Sequence, residues 1–129
     1  MITPVWSRSY IASVWRQLGP YLLALIWLAA GYLHYSPGTE YSLSSEHYRA
    51  WAFPAFRYSD IIWLYLRDNL GTKPIPYRDY ALEYPPLTGL LSWTLSWTPD
   101  LPAYFAGAYL LLAGSAFLTI WALQRLPGA

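Results

Sequence analysis

Apolar residues fall into two long blocks and one short one. Residues 18–36 read LGPYLLALIWLAAGYLHYS, with no carboxylate and no base except His34. Residues 103–124 carry no charge at all. A spanning helix needs roughly 20 apolar residues, so each block predicts one transmembrane helix. Pro20 falls in the opening turn of the first, where its missing N–H does little harm. Residues 1–17 hold Arg8 and Arg16, with Trp6, Tyr10, Val14 and Trp15 at roughly helical spacing. That pattern suits a cytoplasmic or interfacial lead-in. Basic residues ahead of the first block, and Ala29-Ala30-Gly31 within it, also fit a cleaved signal peptide. Tyr32 and Tyr35 suit an interface better than a cleavage site.

Residues 37–102 change character, with Pro37-Gly38, Pro54, Gly71, Pro74 and Pro76 as turn signals. Three short helices are predicted inside this loop, at about 45–52, 59–70 and 86–97. The second has Ser59 as N-cap, Asp60 in its first turn and Gly71 beyond its end. Its residues Ile61 to Leu66 are apolar nearly all round, so it belongs in the interface or under other protein. In the third, Leu87, Leu90, Leu91 and Leu95 line one face against Thr88, Ser92 and Ser96. It is short for a span and right for an interfacial helix. The fold class is therefore an all-α membrane protein, two transmembrane helices bracketing an outer loop.

Composition sharpens this picture. Apolar residues make up 56% and charged residues 12%, against about 25% charge in a soluble domain. The 8 Trp and 13 Tyr are rings that favour the membrane–water interface. The lipid bilayer is thus the first partner expected. The 8 basic residues are scattered, which argues against nucleic acid. Cysteine is absent, which excludes thiolate metal sites and thiol catalysis. Arg8, Arg16 and Arg125 flank the two spans. The positive-inside rule puts them, the N-terminus and the tail 125–129 in the cytoplasm of a cell-membrane protein, with the loop outside.

Chemistry should then sit in the loop. Asp60 is either a first-turn carboxylate complementing the helix dipole or a base desolvated by Trp63 and Tyr65. The run from Pro76 to Pro86 reads as an aromatic anchor in which Arg78 pairs with Asp79 or Glu83. Arg57, Lys73, Arg78 and His47 are cations that could meet a phosphate. His34 has no partner at a ligand spacing, so a divalent metal gains no support.

Together the motifs Tyr58-Ser59-Asp60-Ile61, Leu64-Tyr65, Pro76-Tyr77 and Leu82-Glu83-Tyr84-Pro85-Pro86-Leu87-Thr88-Gly89 resemble the first outer loop of the GT-C superfamily of polytopic glycosyltransferases. The likeness is to glycosyltransferase family 87, the mannosyltransferase-like membrane proteins. It covers essentially the whole chain. It implies transfer of a hexose, mannose in the first instance, from a polyprenyl-phosphate-sugar to an acceptor hydroxyl on the outer face. No other cofactor is implied. The loop carboxylate matching Asp60 is the general base. Tyr77, Glu83 and Tyr84 shape the site with Tyr58 and Tyr65, while Arg57, Lys73 or Arg78 meets the phosphate.

The chain also departs from that family. Members have eight or more spans, and those with paired acids carry a second Asp near the first, whereas here Tyr58 and Ile62 occupy the positions two away from Asp60. The expectation is an N-terminal piece of a larger enzyme, inactive alone and completed by a C-terminal part. The competing expectation is a small non-enzymatic anchor or assembly subunit.

Overall fold

The computed structural model describes residues 8–40 and 44–126. These are all-helical, apart from one isolated bridge between Pro76 and Tyr80. Trp6 and the rest of residues 1–7, the side chain of Arg8, and residues 127–129 of the expected tail lie outside this description.

Helix α1 runs Arg8–Tyr35, without a break between the expected lead-in and the first span. Its 28 residues measure about 42 Å at the α-helical rise. Pro20 is therefore interior and not in an opening turn. It leaves the Arg16 carbonyl without its helical donor. The last helix runs Leu101–Leu123. Asp100 starts it, accepting from the Ala103 N–H at 2.8 Å. Both helices are long and apolar enough to cross a membrane. Their outer faces stay bare: Trp27 is 81% exposed and Leu110 73%. Apolar surface on this scale needs something other than water against it.

The two long helices pack antiparallel. Tyr21 meets Phe117 near one end, and Tyr32 stacks on Phe105 and meets Tyr109 edge-on near the other. The chain between them collects at that second end. A 3-10 turn over Ser36–Thr39 leads out of α1. Helix α2 runs Ser45–Ala52, capped by Ser44. Helix α3 runs Asp60–Arg67 and stops earlier than the pattern suggests. Its end falls where Asp68 folds back on Arg67 and Asn69 takes a left-handed conformation, φ 49°. A short 3-10 turn, Leu70–Thr72, follows. Helix α4 runs Pro86–Leu95, with Pro86 in its first turn, where the missing N–H costs nothing. It ends where the Ser96 and Thr98 hydroxyls turn back onto the Trp93 and Leu95 carbonyls. Such side-chain bonds compete with the helical ladder. The helix Leu101–Leu123 is α5.

A small core binds these pieces. Tyr48, Ala52, Ile62, Leu64, Leu70 and Leu82 pack with Leu101, Tyr104 and Phe105 from the start of α5. The core thus belongs to the loop, and α5 is its floor. Gly89 shows how closely it is fitted. A Cβ there would lie 2.6 Å from Leu82 Cδ2 and 3.2 Å from the Tyr77 ring. Gly89→Ala gains up to about 1 kcal/mol of helix propensity but overpacks a buried contact at about 1–3 kcal/mol. The expected net result is a loss of about 1 kcal/mol, measured by denaturant unfolding in detergent. Equal or greater stability would show that Leu82 has room to move.

Candidate active site

The site begins with how α3 is held. Ser59 occupies the N-cap position with extended backbone, but its hydroxyl makes no capping bond. A side chain from α2 fixes this end instead. The Ser59 N–H donates to the Tyr48 hydroxyl at 2.7 Å, and that hydroxyl faces the Arg57 and Ser59 carbonyls at 3.3 and 3.4 Å. Tyr48 is fully buried. Burial is the main reason its phenol is pushed up to about 12, with the Asp60 charge adding to it.

Asp60 follows directly and is exposed at the mouth of a groove between α3, α4 and α5. The groove has a volume of about 240 Å³. Its walls are Ile61 and Leu64 of α3, Leu91 and Leu95 of α4, and Ala108, Leu111 and Leu112 of α5. Tyr84, Thr88, Ser92, Tyr104 and Ser115 supply hydroxyls. The α5 positions 104, 108, 111, 112 and 115 lie on one helical face and span about 16 Å. Asp60 is the one carboxyl side chain in this lining, which holds no Lys, Arg or His. A lone carboxylate on a mostly apolar groove can accept a proton, and it will not hold an anion without a cation nearby.

Two phenols sense that carboxylate. Burial, then the Asp60 charge, raises Tyr58 to about 12. Burial and Asp60 likewise raise Tyr84. Asp60, Tyr58 and Tyr84 are therefore brought together, although Tyr84 is 24 positions away in sequence. Glu83 stays exposed, and its charge reaches Arg67.

The remaining expected site residues stand outside the groove lining. Tyr65 packs against Tyr104, ring centres 4.9 Å apart. Tyr77, held at φ 64°, donates its hydroxyl to the Tyr84 carbonyl. That bond fixes where the Tyr84 backbone sits. Arg57 lies over Trp51 at 5.9 Å and Lys73 over Trp97 at 4.7 Å. Arg78 is exposed and spent on Asp79 through two bonds of 2.8 and 2.9 Å. That guanidinium, with the Ile75 N–H, lowers the Asp79 carboxyl to about 2. His47 sits 2.8 Å from the Ser44 cap, and His34 Nε2 is 2.9 Å from the Phe56 carbonyl.

One cation whose charge reaches the groove residue Tyr84 is one the motifs did not point to. Arg67 lies seven residues after Asp60, two turns on along the same face of α3. It grips Asp68 with bonds of 2.6 and 2.9 Å, and the Asp68 side chain is only 8% exposed. The bond to Asp68 raises Arg67, and the charges of Glu83 and Tyr84 add to this. The buried Tyr80 hydroxyl has no bonding partner and feels both Asp68 and Arg67. The spacing from Asp60 to Leu64 to Arg67 was the available signal.

Among the described residues, no three His, Cys, Asp or Glu side chains gather as metal ligands. Comparison with protein-family models, curated proteins and solved structures gives no match.

Proposed function

We propose that this chain is the base-bearing part of a membrane glycosyltransferase of the GT-C kind, completed by further spans. It transfers a hexose from a polyprenyl-phosphate-sugar to an acceptor hydroxyl at the outer membrane face. The observation that carries this reading is Asp60, the single carboxyl group on an apolar groove walled by a helix able to span the bilayer. The groove suits an isoprenoid chain, and the carboxylate suits the acceptor.

In the reaction, Asp60 takes the proton of the acceptor hydroxyl as its oxygen bonds to the anomeric carbon. The bond from that carbon to the phosphate oxygen breaks, and its electron pair leaves with the lipid phosphate. A base is needed because an alcohol is a weak nucleophile at neutral pH. The phosphate is already a good leaving group, so orientation supplies much of the remainder. Arg67, whose charge reaches Tyr84, is the cation we assign to the phosphate, its guanidinium being shared with Asp68.

The test is photolabelling in reconstituted membranes with a photoreactive polyprenyl phosphate. Label is expected on Leu91 and Leu111, and Leu111→Trp, which fills the groove, is expected to abolish it. Equal labelling of the opposite α1–α5 face around Leu25 and Leu110 would overturn the reading.

A further inference from the structure

The other end of the helix pair holds a second cavity, with two arginines in its lining. It has a volume of about 530 Å³ and is lined by Arg16, Gln17, Leu18 and Tyr21 of α1, with Trp121 of α5 and the Gln124 and Arg125 that follow it. Gln124 ties the helices together. Its Oε1 accepts from the Tyr21 hydroxyl at 3.2 Å, and its Nε2 donates to the Gln17 carbonyl at 2.8 Å. The cavity wall is thus braced across the two helices. Arg125 lies over the Trp121 ring at 4.2 Å.

Among the described residues, the charged side chains lining this cavity have one sign. The sequence has no Asp or Glu before Glu40 or after Asp100. Among the described residues, the only carboxylate ion pairs are Arg67–Asp68 and Arg78–Asp79, both at the far end. Among the described residues, two guanidiniums therefore line one cavity with no carboxylate in its lining. An anion relieves that repulsion, and a phosphate matches the planar fork of each arginine. The cavity also opens onto hydrocarbon surface. Leu18 is 53% exposed and Trp121 47%, so acyl chains would continue from the phosphate along apolar side chains. Basic pockets between helices, flanked by interfacial Trp and Tyr, suit lipid head groups.

We infer that the Arg16–Arg125 cavity binds the phosphodiester head group of an anionic phospholipid. The inference rests on α1 and α5 lying in a bilayer and not on the transferase reading. Its failure would leave the Asp60 groove untouched.

The experiment is native mass spectrometry of the purified chain in neutral detergent, titrated separately with phosphatidylglycerol, phosphatidylcholine and inorganic phosphate. One saturable phosphatidylglycerol is expected, without comparable retention of phosphatidylcholine or inorganic phosphate. Arg16→Gln and Arg125→Gln are each expected to weaken it about fivefold. Arg49→Gln, a cation at the far end, is expected to leave it unchanged. Should the glutamine variants fail to fold, the lysine variants at both sites, which keep the charge and lose the fork, are expected to bind more weakly than wild type and still in a salt-dependent way. The wild-type chain supplies a further arm: raising salt from about 0.05 to about 1 M should weaken retention, since screening shortens the reach of charge. Salt-independent binding, equal retention of phosphatidylcholine, or unchanged affinity in the folded double glutamine variant would overturn the inference. Competition by free phosphate at equal concentration would also overturn it, assigning an ion site in place of a lipid site.

Discussion

Asp60→Asn, made in the full-length enzyme to which this chain is proposed to belong, is expected to lower kcat for sugar transfer by about 10²–10⁴-fold, the usual worth of a positioned base. KM for the lipid donor should change little, because the apolar groove walls remain. The competing role of Asp60 is electrostatic support of α3, whose first turn it occupies. That role is worth about 0.3–1 kcal/mol of stability and leaves turnover alone. The two roles therefore separate in one variant: unchanged kcat with a small drop in stability sinks the base assignment. Photolabelling of the groove provides the internal control, since Asp60→Asn should retain it.

Tyr48→Phe is expected to destabilise the loop by about 1–3 kcal/mol, although it removes only one oxygen. The loss leaves the part-buried Ser59 N–H without the acceptor it has at 2.7 Å, and an unsatisfied donor shielded from water carries a desolvation cost. The phenol also makes stability depend on pH. Its folded pKa is raised from 10.0 to about 12, so the unfolded chain releases this proton first. Stability is then fully present below about pH 10 and falls as pH rises toward 12. Tyr58, raised to about 12 mainly by burial, acts in the same window. Tyr48→Phe should therefore be less stable at pH 7 and lose less between pH 10 and 12 than the wild type. Denaturant titrations at both ends of that window check this. Parallel losses in the two proteins would show that Tyr48 does not carry its share. Since Tyr48 sets the start of α3, transfer by the proposed full-length enzyme should also fall, through displacement of Asp60.

Local signals in the sequence reached some of these features and missed others for physical reasons. Two long apolar blocks were enough to indicate two long helices, because hydropathy is a property of a segment and needs no partner. The first helix nevertheless runs unbroken through Arg16 and Pro20, since an isolated arginine does not stop a helix and Pro20 did not stop this one. The ends of α3 and α4 lie in side-chain bonds, Arg67 to Asp68 and Ser96 to Trp93, which hydrophobic period does not report. The proximity of Asp60 to Tyr84 and of Tyr48 to Ser59 is tertiary, created by a core that α5 completes. No spacing rule could supply it. The Asp60–Leu64–Arg67 face was readable from helix geometry alone. An almost wholly apolar helix drew attention away from the charge at its end.

The separation of charge along the helix pair has a further consequence. All seven acidic residues and five of the eight basic ones lie between Glu40 and Asp100, in the segment that joins α1 to α5. In a bilayer, inverting the molecule would drag every one of those groups through hydrocarbon, each at about 2.5–3.5 kcal/mol or more on insertion scales. A molecule inserted the wrong way round could not right itself on any cellular timescale. Were α1 and α5 to span a bilayer, orientation would therefore be set once, at insertion, and would persist as a kinetic fact however small the energy difference between the two orientations.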